Sequence, residues 1–394
     1  MSKAHPTLDE HLSNRHTPKR ILALDGGGLR GVLTVGLLSR IEEILRARAG
    51  GDPDFRLCHY FDLIGGTSTG AIIAAGLAVG MRVAEIREHY YRLGNVVFKR
   101  DLLRLGLVRQ KYDARRVDKA LHEIFGDHTL GSPGIRTGLM IMTKRLDTTS
   151  PWPLTNNPND PYFNPRPNST TIPNRDYPLW KVVRASTAAP YYFAPEFVTI
   201  KEGSADGAVK PVSGEFIDGG VSTANNPSLQ MVQLATLHGY GLRWPLGDDQ
   251  MLVVSLGTGR PNLEGMISSG VKAASAAHAA RSLVTLMSDC NELVETMMQW
   301  LSSSPTARRI DRVVGDLHED QLGGRPLLSY ARYNVEFEDT WLRDNLGVSL
   351  NKDKIAGLEA MDDPANLSTL EDLGIRAASK FIQEAHFPAA FDLR

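Results

Sequence analysis

The stretch ILALDGGGLRGVLT, residues 21–34, runs from four apolar residues into Asp25, three glycines, Arg30 and Gly31. Apolar residues then recur at helical spacing through Leu33, Leu37, Ile41 and Ile44. A short buried strand that turns through glycines into a helix is the opening unit of an α/β fold. The loop itself has two readings. As Gly26, Gly28 and Gly31 it satisfies G-x-G-x-x-G, whose amides cradle a pyrophosphate at a helix N-terminus. The same amides would equally face the oxyanion of an acyl transfer.

Working outward, the strand-helix alternation continues. Strands are expected at Phe61–Ile64, Leu139–Thr143, Glu215–Ile217 and Met251–Leu256, and helices at Ala71–Val79, Ala114–Phe125 and Leu179–Ser186. This order predicts an α/β protein with a mostly parallel central sheet. Residues 63–80 imitate a membrane span, but five glycines and the run Thr67, Ser68, Thr69 fit a buried strand, turn and helix better. Residues 151–178 hold eight prolines and six asparagines and are read as an irregular loop, either a lid or a plain surface excursion. Beyond Leu256 the pattern turns helical. Leu283, Leu286, Cys290, Leu293, Met297 and Leu301 make an apolar stripe expected to pack on the core, with an oligomer surface as the alternative. Ser368 and Glu371 make a capping box for a further helix through Ile382. Three segments result: a polar arm over 1–19, a catalytic α/β domain over 20–260, and a mainly helical region over 261–394 packed on that domain.

Composition narrows the class. In 394 residues, 44 basic and 45 acidic side chains leave a net charge of -1, so no global field recruits a nucleic-acid polymer or an anionic membrane. Two cysteines, Cys58 and Cys290, suit a reducing compartment. The first 20 residues lack an apolar signal core, and a cytoplasmic location is expected. No H-E-x-x-H, EF-hand or paired C-x-x-C spacing indicates a metal, and no other cofactor is expected.

The chemistry sits in two further motifs. Gly66-Thr67-Ser68-Thr69-Gly70 matches G-x-S-x-G between an apolar strand and a helix, the setting of a nucleophile elbow. A serine there needs a base. None of the histidines, including His59, His89, His122, His128, His238 and His278, stands in a catalytic context. Asp218 ends the apolar run EFID before Gly219 and Gly220; alone, D-G-G reads as readily as a turn, but a secluded carboxylate there would act as base. The dinucleotide reading lacks an acidic residue at a second strand end, since Glu42 and Glu43 fall inside the first helix, and no Walker A lysine follows Gly31.

Together, Asp25-Gly26-Gly27-Gly28-Leu29-Arg30-Gly31, the elbow around Ser68, and Asp218-Gly219-Gly220 resemble, in that order, the patatin-like phospholipase family. The blocks VVRASTAAPYYFAP (182–195) and LVVSLGTG (252–259) are also similar to it. The resemblance covers roughly residues 20–260 and implies a three-layer fold with helices on both faces of the sheet. It implies a Ser68–Asp218 dyad without histidine, an elbow set by Gly66 and Gly70, and an oxyanion hole from Gly26, Gly27 and Gly28 reinforced by Arg30. The implied reaction is hydrolysis of acyl esters of membrane phospholipid to free fatty acid.

Regulation and partners follow from the same resemblance. Some bacterial members of the family are gated by signals, cyclic oligonucleotides in antiviral defence among them. This implies a cyclic-oligonucleotide activator, with the C-terminal region and the 151–178 loop as candidate gates. Residues 98–116 carry seven basic and two acidic side chains among five Leu or Val, a peripheral lipid surface or a solvated face. A homo-oligomer is also expected. A nucleotide-dependent enzyme and a catalytically silent binding module remain the alternatives.

Overall fold

The computed structural model describes residues 5–15, 18–97, 112–204, 208–261 and 275–393, with side chains from 284 onward in the last segment. Most of the basic, apolar 98–116 segment, residues 98–111, lies outside the described residues, as does the side chain of Leu283.

A nine-stranded sheet forms the centre. The opening strand β1 (Lys19–Leu24) lies between β2 (Leu63–Thr67) and β7 (Met251–Leu256), parallel to both. Next to β2 runs β3 (Gly138–Arg145), and beyond β7 run β10 (Leu328–Tyr333) and β9 (Ser302–Ser303), all parallel. Antiparallel to β3 are β4 (Pro151–Thr155) and β6 (Val212–Asp218), and β5 (Glu196–Lys201) pairs with β6. A separate parallel pair joins β8 (Arg260–Pro261) to β11 (Glu336–Phe337).

Strand alternation divides the core in two. Leu22, Leu24, Ile64, Leu139 and Val254 face one side, where α2 (Gly31–Arg48), α3 (Leu57–Tyr60), α4 (Thr69–Ala78), α5 (Val83–Val97), α6 (Ala114–Phe125) and α7 (Leu179–Ser186) gather. Ile21, Ala23, Leu63, Met140 and Val253 face the other side, covered by α1 (Leu8–Leu12), α8 (Ser228–Thr236) and the end of α9 (Ser275–Leu301). Burial on both faces is why the central strands read as unbroken apolar runs. The chain closes with α10 (Asp339–Leu346), α11 (Lys352–Glu359) and α12 (Leu367–Phe381), which join the first core. Between α2 and α12 the backbones approach through Gly36 and Gly374; a Cβ on Gly374 would stand 2.3 Å from the Leu33 carbonyl oxygen.

Five expectations need correction. The arm is not loose after Thr7: a capping box with Glu10 starts α1, and buried His11 bonds Asp62 through Nδ1 at 2.8 Å. Residue 260 does not bound the sheet, because β10 adds to β7 from beyond it. Within 151–178, Pro151–Thr155 is a strand; Pro151 and Pro153 sit on an edge pairing with β3, where a missing N–H is tolerated. The stripe of α9 does not all pack inward: Leu286 and Leu293 are each 58% exposed, while Val294 and Met298 are buried. Finally, α12 begins at Leu367 with Asn366 as an N-cap that makes no side-chain bond, so Ser368 lies inside the helix and not at its cap, while Glu371 bonds Tyr91 and Arg87 of α5.

Candidate active site

Ser68 stands between β2 and α4 with φ 56° and ψ −121°, a backbone region costly for a residue with a Cβ, by about 1–3 kcal/mol. The flanking glycines are what allow so tight a turn. A Cβ on Gly66 would lie 2.1 Å from the Gly70 carbonyl oxygen, and one on Gly70 would lie 2.2 Å from that of Leu24. With the turn closed, the Ser68 amide leaves the backbone ladders and donates to Ser186 Oγ at 2.8 Å.

Asp218 ends β6, which β3 places beside β2 through the registers Thr67 with Met142 and Thr143 with Asp218. Its carboxylate accepts from the Gly220 amide at 2.7 Å, and the Ser68 hydroxyl acts on it from close by to hold its pKa down. Burial pushes this carboxyl up to about 6, and the Ser68 hydrogen bond is the largest opposing effect. A base in that range is ionised at neutral pH yet basic enough to share a proton.

Both residues face one cavity of about 620 Å³, inside the ~300–1,000 Å³ span usual for small-ligand sites. Its far wall is apolar, with Ile72, Leu93, Val97, Val117 and Phe193. Among the described residues lining it there is no histidine. Met287 of α9 and Met361, just past α11, close the near side.

The glycine loop borders the same cavity through Gly27 and Gly28, whose amides have no backbone acceptor among the described residues. Gly26 differs: its amide already donates to the Asn225 carbonyl at 3.1 Å, so it is not free to meet an oxyanion. Arg30 is buried beside Tyr192 and Glu359, two residues of the cavity lining, and its Nε donates to the Gly27 carbonyl at 3.3 Å. Burial lowers its pKa to about 10, which leaves it a cation at neutral pH.

Three residues that hold this loop escaped the sequence reading. Arg332 of β10 grips Asp25 with both terminal nitrogens, at 2.9 and 2.6 Å, in a buried ion pair. Met361 accepts from the Leu29 amide at 2.7 Å, and its carbonyl oxygen would be 2.2 Å from a Cβ on Gly28, where φ is 61°. Asn225 takes the Gly26 amide. Nothing local marks them, because their partners are 307, 332 and 199 residues away, as the numbering shows.

The 151–178 loop does not line the cavity. His238 sits in an exposed single helical turn beyond α8, outside the cavity lining.

Residues 22–232, more than half of the chain, match the family model of patatin-like phospholipase. Among curated proteins, a cGAMP-activated phospholipase of Vibrio cholerae is 31% identical over 236 residues, 57% of this chain and 59% of that protein. Another of Escherichia coli is 33% identical over 215 residues, 53% of each. An intracellular phospholipase A2 of Caenorhabditis elegans is 30% identical over 268 residues, 64% of this chain and 21% of its own length. The chain thus spans a little over half of the two bacterial relatives and about a fifth of the nematode protein.

Proposed function

We propose that this chain, which belongs to the patatin-like phospholipase family, is a serine acyl hydrolase working through a Ser68–Asp218 dyad on the acyl esters of membrane phospholipid. One observation carries the reading: a strained serine at a helix N-terminus and a buried carboxylate with a pKa of about 6 line one cavity, with no histidine among the described residues lining it. Asp218 takes the Ser68 proton as Oγ attacks the ester carbonyl, and the proton passes to the departing alcohol. The free amides of Gly27 and Gly28 stabilise the tetrahedral oxyanion, and the dipole of α4 favours negative charge at its N-terminal end. Water activated by the same carboxylate then releases fatty acid. The apolar far wall suits the acyl chain.

Two finer parts of the proposal rest on the relatives. The bacterial proteins are named for activation by cGAMP, which supports a cyclic oligonucleotide as activator here; a role as a signal-gated antiphage effector is what the family resemblance implies. Among the described residues no helix is long and apolar enough to cross a membrane. Phospholipid as substrate goes with a peripheral contact at the bilayer surface as a further part of the proposal.

The test measures fatty acid released from mixed phospholipid vesicles, with and without a panel of cyclic di- and trinucleotides. Ser68→Ala should release none and lose labelling by a fluorophosphonate. Full hydrolysis by that variant would sink the dyad, and wild-type release indifferent to every nucleotide would sink the gate.

A further inference from the structure

Ser186 makes two short bonds at a crossing of three chain segments. It is fully buried at the end of α7, outside the cavity lining. Its Oγ donates to the Met142 carbonyl of β3 at 2.6 Å and accepts from the Ser68 amide at 2.8 Å. Two residues on, the Ala188 carbonyl accepts from the Asp218 amide at 3.1 Å. The Met142 carbonyl also abuts Gly219, where a Cβ would stand 2.4 Å from it. One turn, Ser186 to Ala188, therefore holds the backbone of both Ser68 and Asp218.

From this we infer that Ser186 is a positioning residue for acyl transfer, its hydroxyl fixing the Ser68 turn at the distance from Asp218 that proton transfer requires. The inference rests on the Ser68–Asp218 reading. Its physical basis is that a residue at φ 56° cannot place its N–H in a helix or strand ladder, and a buried amide must be met. The group that meets it must accept from Ser68 while donating to Met142, and a hydroxyl does both. Arg184, two residues earlier, anchors α7 through Asp118 at 2.9 Å, so the hydroxyl hangs from a fixed support. Without the hydroxyl the turn is free to relax toward ordinary backbone angles, and Oγ swings away from the carboxylate. Small displacements of reacting groups cost orders of magnitude in rate.

The decisive comparison is Ser186→Thr against Ser186→Val, two side chains of one shape that differ in the hydroxyl. With a soluble ester, Val should lower kcat by about 10- to 100-fold and leave KM within about twofold, while Thr stays within a few-fold of wild type. The rate of fluorophosphonate labelling should fall in step with kcat. The acid limb of kcat/KM should move to higher pH in Val and not in Thr, because the Ser68 bond that lowers the Asp218 pKa is loosened. Equal kcat in Thr and Val, whether high or low, overturns the role of the hydroxyl. If Val does not fold, Ser186→Ala takes its place, and native kcat in folded Ala overturns the inference. Failure of wild-type protein to be labelled at Ser68 would instead strike the dyad itself.

Discussion

At the scale of single residues, the site is a set of local costs placed where they serve chemistry. Ser68 sits in a costly backbone region, and Asp218 is buried with a carboxyl raised from 3.8 to about 6. On the proposed dyad the ionised carboxylate is the working form, so kcat/KM for a soluble ester should fall tenfold per pH unit below about 6 and level off above it. A pH–rate profile with its acid limb near 4 would contradict a buried base. The sign for stability is the reverse of that for activity. A carboxyl whose folded pKa exceeds its unfolded value favours folding while protonated, and that contribution is lost as pH rises from about 4 through about 6. Asp218→Asn, neutral throughout, should therefore be nearly inactive yet melt no lower than wild type at pH 7.5, as differential scanning calorimetry would read. The strand-turn-helix setting of Gly66, Ser68 and Gly70 and the strand end at Asp218 were legible in the sequence, because motif and apolar run coincide there. The availability of each loop amide was not, since Gly26 and Gly27 look alike in one dimension and differ only in that Asn225 reaches the first.

At the scale of elements, helix and strand bounds followed from periodicity where neighbours agreed with it: Ala114–Phe125, Leu179–Ser186 and Met251–Leu256 are found as expected. Periodicity was less informative about which face is buried. In α9 the buried face carries Glu295 and Gln299 beside Val294 and Met298; Glu295 binds Arg260 at 2.6 Å and Arg308, while Leu286 and Leu293 turn outward. The ionic network, invisible in an apolar pattern, sets the rotation of that helix. Elsewhere close approach decides. The crossing of α2 and α12 depends on Gly374, whose absent Cβ leaves room for the Leu33 carbonyl at 2.3 Å. Gly374→Ala would improve helix propensity by about 1 kcal/mol, but overpacking against backbone costs about 1–3 kcal/mol. The crossing should dominate, so urea titration should show a net loss of stability; a gain would mean that the helices separate freely.

At the scale of the whole molecule, the C-terminal third is part of the architecture around the candidate site. It supplies β10 to the sheet, and Arg332 and Met361 to the glycine loop. The buried Asp25–Arg332 pair is the strongest of these ties, and breaking such a pair by removing one partner costs about 3–5 kcal/mol. Arg332→Gln should lower unfolding stability by that order in denaturant titration and reduce kcat, because the loop carrying Gly27 and Gly28 loses its anchor. Unchanged stability would show that Asp25 finds another partner.

By itself the sequence determined the α/β alternation, the order of the three motifs and the residue types able to do acyl chemistry, because these depend on neighbours a few positions apart. Tertiary structure alone decided which amides remain free, and that Arg332, Met361, Asn225 and Ser186 hold the parts in place. Those contacts join segments more than one hundred residues apart, where only the packed sheet and its two cores bring a donor to its acceptor. The stretch ILALDGGGLRGVLT thus announces a loop for an anion, and the folded chain selects which of its groups can meet one.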